Sequence, residues 1–155
     1  MLFILFHLGD DHYALDAAQV AEVLPLVQLK KIPRAAPGVA GVFTYRGRPV
    51  PVLDLSELAL GRPARPRLST RLLLVHYPDG WGQRRLLGLI AEKATETLRR
   101  EPGDFVNAGV NAQGAPFLGP VVSEARGIVQ WVQIDRLLSS PVRAALFPAV
   151  TEAAP

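Results

Sequence analysis

The sequence predicts a mainly β protein, folded as two small β-barrels with few helices. Short apolar runs recur along the chain, each stopped by Gly, Pro or Asp residues of the kind that make turns. Hairpin-like pairs of runs appear on both sides of one Pro- and Arg-rich linker, Gly61 to Leu68 (GRPARPRL). Only two stretches have a helical period. Many short strands with frequent turns fit small barrels or a sandwich, and the repeat of the pattern across the linker favours two barrels over one.

Leu2 to Leu8 and His12 to Leu15 flank the turn Gly9-Asp10-Asp11 and read as a first hairpin. From Ala17 the period changes. Val20, Val23 and Leu24 recur at helical spacing, Asp16 is placed as an N-cap, and Pro25 is a stop, so one short amphipathic helix is expected here. Strands resume at Leu29–Ile32, Val39–Tyr45 and Val50–Leu55. Pro49 and Pro51 cannot donate ladder hydrogen bonds, which assigns that last strand to an edge or a bulge.

After the linker, Thr70–Tyr77 and Arg84–Glu92 flank Pro78-Asp79-Gly80. The ATETL stretch alternates weakly, and Glu101 to Gly114 reads as irregular loop. PFLGPVV and GIVQWVQI form another hairpin around Ser123-Glu124, and a final helix is expected from Ile134 toward Phe147. The first barrel is expected over about 10–65 and the second over about 66–138, the N-terminal strand being a candidate for sharing between them. The whole is one domain over 1–148, and Ala149 to Pro155 is expected to be a disordered tail.

The 155 residues suffice for one domain or two small ones sharing a core. Apolar residues make up 49% and charged residues 20%, within the soluble globular range. The net charge is +3 and the isoelectric point about 9.7. The basic residues are scattered rather than clustered, which does not make a nucleic-acid footprint. There is no Cys, so disulfides, a thiolate nucleophile and Cys-ligated zinc are excluded. The start MLFILFHLGDD lacks the basic flank and cleavage site of a signal peptide, and no apolar run reaches the roughly 18 residues of a membrane span. A cytoplasmic location is expected, with no direct membrane insertion.

No catalytic constellation emerges. His7 and His76 sit within apolar runs, where a core or strand histidine is the usual explanation, and His12 lies beside a turn. Metal-binding HxH or HExxH spacing, phosphate loops and GxSxG are all absent. Asp54, Glu92 and Glu96 are candidate paired carboxylates, but nothing in the sequence brings an acid and a base together. Solvated strand ends are their default reading. Neither a metal nor a cofactor is expected. Arg46 stands out. Gly47 supplies the positive φ that a turn between two apolar strands needs, but a turn has no need of an arginine.

Three segments carry a family resemblance: FILFHLGDDHYALDAAQVAEVL, IPRAAPGVAGVFTYRGRPVPVLDL and RLLGLIAEKATETL. They resemble the CheW-like domain of bacterial chemosensory coupling proteins, over about Leu2 to Leu138. The family typically reads P..P..V.GV.NLRG..VPV.DL. Here Pro33, Pro37, Val39, Gly41, Val42, Arg46, Gly47, Val50, Pro51, Val52, Asp54 and Leu55 fall in place. The wording LSTRLLLVHYP and RLLGLIAEKATETLRR looks most like the WspB branch, couplers of surface-sensing pathways that control cyclic-di-GMP.

The resemblance implies two packed five-stranded SH3-like barrels with one short helix and a C-terminal helix. It also implies a non-enzymatic adaptor between the signalling tip of a methyl-accepting chemotaxis-type receptor and a CheA-type histidine kinase. Its membrane location would come through these partners, in receptor arrays, and self-association through barrel edges stays open. The family arginine organises the receptor-facing site, so Arg46 is assigned there, with Glu22 on the expected helix. Val20 and Gly41 complete a candidate receptor-binding set lining a groove between the barrels, with Gly41 allowing close approach of the partner backbone. An ion pair from Glu22 to Arg46 is conceivable within it. Two departures from the family pattern, Thr44-Tyr45 for Asn-Leu and the Ala- and Thr-rich Ala91–Thr97, bear on partner identity. The competing class is a nucleic-acid-binding β-barrel, which needs stacking aromatics in a basic groove. Trp81 in a turn and Trp131 in a strand lie far apart in sequence, which argues against it.

Overall fold

A computed structural model describes residues 1–109 and 114–148. The expected tail at 149–155 and part of the loop expected over Glu101 to Gly114 lie outside the described residues. The strands are β1 (Leu2–Leu8), β2 (Asp11–Asp16), β3 (Val20–Pro25), β4 (Val39–Tyr45), β5 (Arg48–Asp54), β6 (Arg71–Pro78), β7 (Arg84–Arg99), β8 (Leu118–Glu124) and β9 (Gly127–Val132). Two short helices complete the set, α1 (Leu55–Leu60) and α2 (Ser140–Leu146). The architecture is mainly β, in two five-stranded units, as expected.

The two units share one strand. The first half of β7 pairs with β6 through Pro78↔Arg84 to Arg71↔Ala91, and with β5 in parallel. Its second half pairs with β1, from His7↔Glu92 to Leu2↔Arg99. One barrel therefore holds β3, β4, β5, β6 and the start of β7. The other holds β1, β2, β8, β9 and the end of β7. This pairing does not part the chain near residue 65. β2 belongs with β1 and β9, while β6, beyond the linker, pairs with β3. The strand common to both barrels is β7 rather than the N-terminal one, which explains its length and the weak alternation of ATETL.

Packing accounts for the near-continuous apolar runs. Phe3 and Leu5 of β1 point into one barrel with Ala14, Leu98, Val122 and Val129. Val50, Val52, Leu72, Leu74 and Ile90 fill the other. The alternate residues Phe6, Leu8, Leu15, Leu53, Leu73, Val75, Tyr77, Leu87 and Leu89 form a third layer between the barrels. The central strands are buried on both faces, so polar residues cannot alternate with apolar ones.

The expected helix from Ala17 is overturned. Asp16 does cap, accepting from Ala18 N–H at 2.9 Å, but it caps a single 3-10 turn at Ala17–Gln19. The chain then extends as β3. A bulge between Val20 and Glu22 puts Val20 opposite Val75 and Val23 opposite Leu73 on the inter-barrel face, while Leu24 faces Leu72 inside the barrel. One extra residue in a strand thus imitates the i, i+3, i+4 spacing of a helix. Leu29–Ile32 is not a strand either; Lys30 alone bridges to Val42.

The helix α1 was not expected. Asp54, read as a solvated strand end, is 4% exposed and caps it, accepting from Glu57 N–H at 3.2 Å and from Ala64 N–H at 2.8 Å. The final helical stretch is split. A 3-10 turn at Ile134–Arg136 precedes α2, which starts afresh at its N-cap Ser139 with Pro141 in the first turn. Pro49 and Pro51 lie where β5 pairs with β4 alone, since its pairing with β7 is confined to Val52–Asp54. The edge assignment holds.

Candidate functional site

The turn joining β4 and β5 consists of Arg46 and Gly47, closed by the pair Tyr45↔Arg48. Both central residues have positive φ, +49° and +79°, the hairpin geometry that matches strand twist. Gly47 adopts it freely, whereas Arg46 bears a side chain in backbone that favours glycine. The guanidinium lies 5.1 Å from the centroid of the Tyr45 ring, a cation–π contact. The Tyr45 hydroxyl donates to the Glu22 carboxylate on β3. That bond, followed by burial, raises the Tyr45 pKa, with the Arg46 charge opposing. Glu22, Tyr45 and Arg46 thus form one connected polar edge where β3 and β4 approach without a ladder between them.

The four residues expected to line a receptor groove separate into two kinds. Glu22 and Arg46 are joined, but through Tyr45; among the described residues Arg46 makes no ion pair. Glu22 is on a strand, not a helix. Val20 is half-buried against the inter-barrel layer. Gly41 is buried, with φ +150°, and a Cβ there would fall 2.5 Å from the Lys30 carbonyl oxygen. The close approach it permits is to Leu29-Lys30 of its own chain, not to a partner backbone.

The space between the barrels is filled by packed side chains, so the expected groove does not run through it. What is exposed at that rim is Val23, 46% accessible on the same strand face as Val20. An open groove of about 770 Å³ lies on the other side of the hairpin, between Arg48, Pro49 and Pro51, Arg84, and the end of α2.

Tyr45 is the residue that sequence reading missed, having treated it only as a departure from the family pattern. An aromatic next to a turn cation was the available signal. The carboxylates Asp54 and Glu92 are near one another but committed, Asp54 to capping and Glu92 to the Ser56 hydroxyl at 3.1 Å. Burial raises the Asp54 pKa, partly offset by the backbone N–H groups it accepts from. Trp131 is packed among Phe3 and Phe105, and Trp81 donates its Nε1 to the Phe147 carbonyl at 3.0 Å. The two tryptophans do not form a shared stacking platform.

Two barrels fused through a common strand, with a Gly-Val…Arg-Gly…Pro-Val hairpin at the edge of one, define a class of two-barrel domains. The CheW-like domain matches residues 2–142, and this chain belongs to that family. It is 29% identical over 104 residues to the chemotaxis protein CheW of Helicobacter pylori, a match covering 66% of this chain and 59% of that relative's length. In fold it resembles the crystal structure of the scaffolding protein TtCheW from Thermoanaerobacter tengcongensis. There the TM-score is 0.77 at 21% identity, covering 91% of this chain and 89% of the other. No helix among the described residues is long and apolar enough to cross a membrane.

Proposed function

We propose that this chain is a non-enzymatic coupling adaptor. It joins the helical signalling tip of a methyl-accepting chemotaxis-type receptor to a CheA-type histidine kinase, as a single domain over 1–148. The observation that carries the reading is the Glu22–Tyr45–Arg46 edge of β3 and β4, set on a CheW-like body. It presents an exposed cation with directed donors at a hairpin tip, which suits the polar side of a partner helix. Arg46 and Glu22 are the contact residues proposed. Val20 and Gly41 support them from behind by fixing β3 and β4. Recruitment from the cytoplasm to receptor arrays follows from the partners. The wording of β6 and β7 favours the WspB branch and a surface-sensing, cyclic-di-GMP-controlling output. A receptor, a histidine kinase and a diguanylate cyclase encoded beside the gene would support that finer assignment.

Arg46→Glu is the test. The side chain is at a hairpin tip, so thermal stability moves by less than about 0.5 kcal/mol. Receptor capture falls by about tenfold or more, one lost charge-assisted contact being sufficient, while kinase capture persists. Normal receptor binding by the folded variant would show that the contact surface is elsewhere.

A further inference from the structure

The crossing of β7 from one barrel to the other is irregular. Leu5 pairs with Glu96 and His7 with Glu92, so the single residue Phe6 faces three residues of β7. Within that bulge Lys93 takes φ +49°. The bulge is anchored where the Ala94 N–H donates to the Ser69 carbonyl at 3.1 Å. A side-chain-bearing residue in this conformation costs about 1 kcal/mol or more, and such residues persist where the surroundings over-determine them. Bulges near functional sites re-aim side chains.

Here the bulge opens a cleft of about 780 Å³, within the usual range for small-molecule sites. His7, His12, Ser69, Lys93, Glu96 and Arg126 line it. His7 and His12 are direct cross-strand partners with ring centroids 4.4 Å apart, and His7 is a half-buried strand histidine, as expected. Lys93 and Arg126 are the basic side chains of the lining. The one carboxylate in the lining, Glu96, is 58% exposed and held by Arg126. The charged and titratable neighbours of His7 are His12 on β2, Glu92, Lys93 and Glu96 on β7, and Arg126 in the β8–β9 turn, with Glu92 accepting from the Ser56 hydroxyl. In the lining the positive charge exceeds the negative, and protonating either ring would increase the excess. A divalent cation would meet Lys93 and Arg126, and no metal-holding cluster of His, Cys, Asp or Glu exists among the described residues.

We propose that this cleft binds a phosphate-type oxyanion, specifically a phosphomonoester. The phosphoryl oxygens take over the position of the Glu96 carboxylate on Arg126 and accept from Lys93 Nζ, the Ser69 hydroxyl and the His7 and His12 rings. Several donors from separate strands and turns lining one cleft suit a tetrahedral dianion with three terminal oxygens. The remaining volume accommodates the organic part of the ester. The site is remote in sequence from the Arg46 turn and does not depend on the coupling reading.

Phenyl phosphate and inorganic phosphate, each titrated into the full chain against chloride at matched ionic strength, test this through the His7 and His12 ring resonances. Both phosphates should shift these resonances saturably, phenyl phosphate at lower concentration, and raise the His7 pKa. By linkage, affinity for phenyl phosphate, which its second pKa of about 6 keeps largely dianionic, rises as pH falls from about 8 toward about 6.5. Arg126→Gln and Lys93→Gly should each weaken binding by about tenfold, the effect of one charge-assisted contact. Glycine accepts the backbone at 93, so Lys93→Gly keeps a cooperatively folded chain while removing the cation. An equal response to chloride, rings indifferent to both phosphates, saturation by Zn²⁺ instead, or full binding by both folded variants would overturn the site. Tighter binding of inorganic phosphate than of phenyl phosphate would overturn the ester assignment.

Discussion

The β4–β5 turn and the β7 crossover each hold a basic residue in left-handed backbone: Arg46 and Lys93 share a φ of +49°. They reach it for different reasons. At the turn the cause is local, because a two-residue type I′ hairpin loop takes positive φ at both positions and so follows the strand twist. At the crossover the cause is tertiary. β7 serves two sheets, and its register on β1 slips where it passes between them. The first basic side chain stands at a hairpin tip, the second lines a cleft between elements. Similar backbone thus accompanies an exposed hairpin tip in one place and a concave cleft in the other.

The largest expected effect sharpens the local side of this comparison. Gly41→Ala puts a Cβ against the Lys30 carbonyl at positive φ, and backbone rather than a flexible side chain must yield. The Lys30–Val42 hydrogen bonds, 2.8 and 2.9 Å, are then strained or lost. A loss of about 3 kcal/mol is expected in chemical denaturation. Receptor capture should fall only as far as the folded fraction does. A fully stable Gly41→Ala that no longer captures receptor would return Gly41 to the contact surface.

A smaller effect compares the two strained residues directly. Arg46→Gly and Lys93→Gly both relieve the left-handed backbone, against the entropy that glycine adds to the unfolded chain. Each should change stability by less than about 1 kcal/mol, with no loss of cooperativity in thermal melts. Strong destabilisation by Lys93→Gly alone would mean that the lysine side chain, not the strand crossing, holds the bulge.

The legibility of the two regions follows from the same physics. Arg46-Gly47 between apolar runs announces a hairpin because its determinants are adjacent in sequence. The runs themselves announced β structure, and their failure to alternate reflects burial of both strand faces between and within the barrels. Partner choice was not legible: β2 joins β9 from the far end of the chain. The bulge at Val20–Glu22 disguised β3 as a helix, and α1 was hidden because its cap, Asp54, also ends a strand. At the candidate site, Glu22 and Arg46 came from the family motif, but Tyr45, which joins them, did not. The crossover cleft was invisible, since His7, His12, Lys93 and Arg126 come from separate elements that only the folded chain assembles.

The smallest effect is a pH dependence belonging to the crossover and not to the turn, where the Glu22 hydrogen bond holds the Tyr45 pKa above its ordinary value of 10.0. His7 lies below its ordinary value of 6.5, first through burial, then through His12, Lys93 and Arg126, with Glu96 opposing. Its folded-state pKa is therefore below the unfolded one. As pH falls through 6.5 the unfolded chain gains a proton that the folded chain resists, and stability declines until the lower folded pKa is passed. Asp54 acts with the opposite sign, since its raised pKa favours the folded state as pH falls, so it cannot imitate this loss. Glu96, lowered by Arg126, loses its contribution only below its ordinary 4.5. Melting temperatures of the native chain should therefore drop modestly as pH is lowered from about 7.5 to about 5, the histidine range. His7→Gln should flatten that segment, Lys93→Gly should reduce it by removing one repelling cation, and Arg46→Gly should leave it unchanged. An undiminished slope in His7→Gln would place the titrating group elsewhere and remove the electrostatic distinction between the two strained sites.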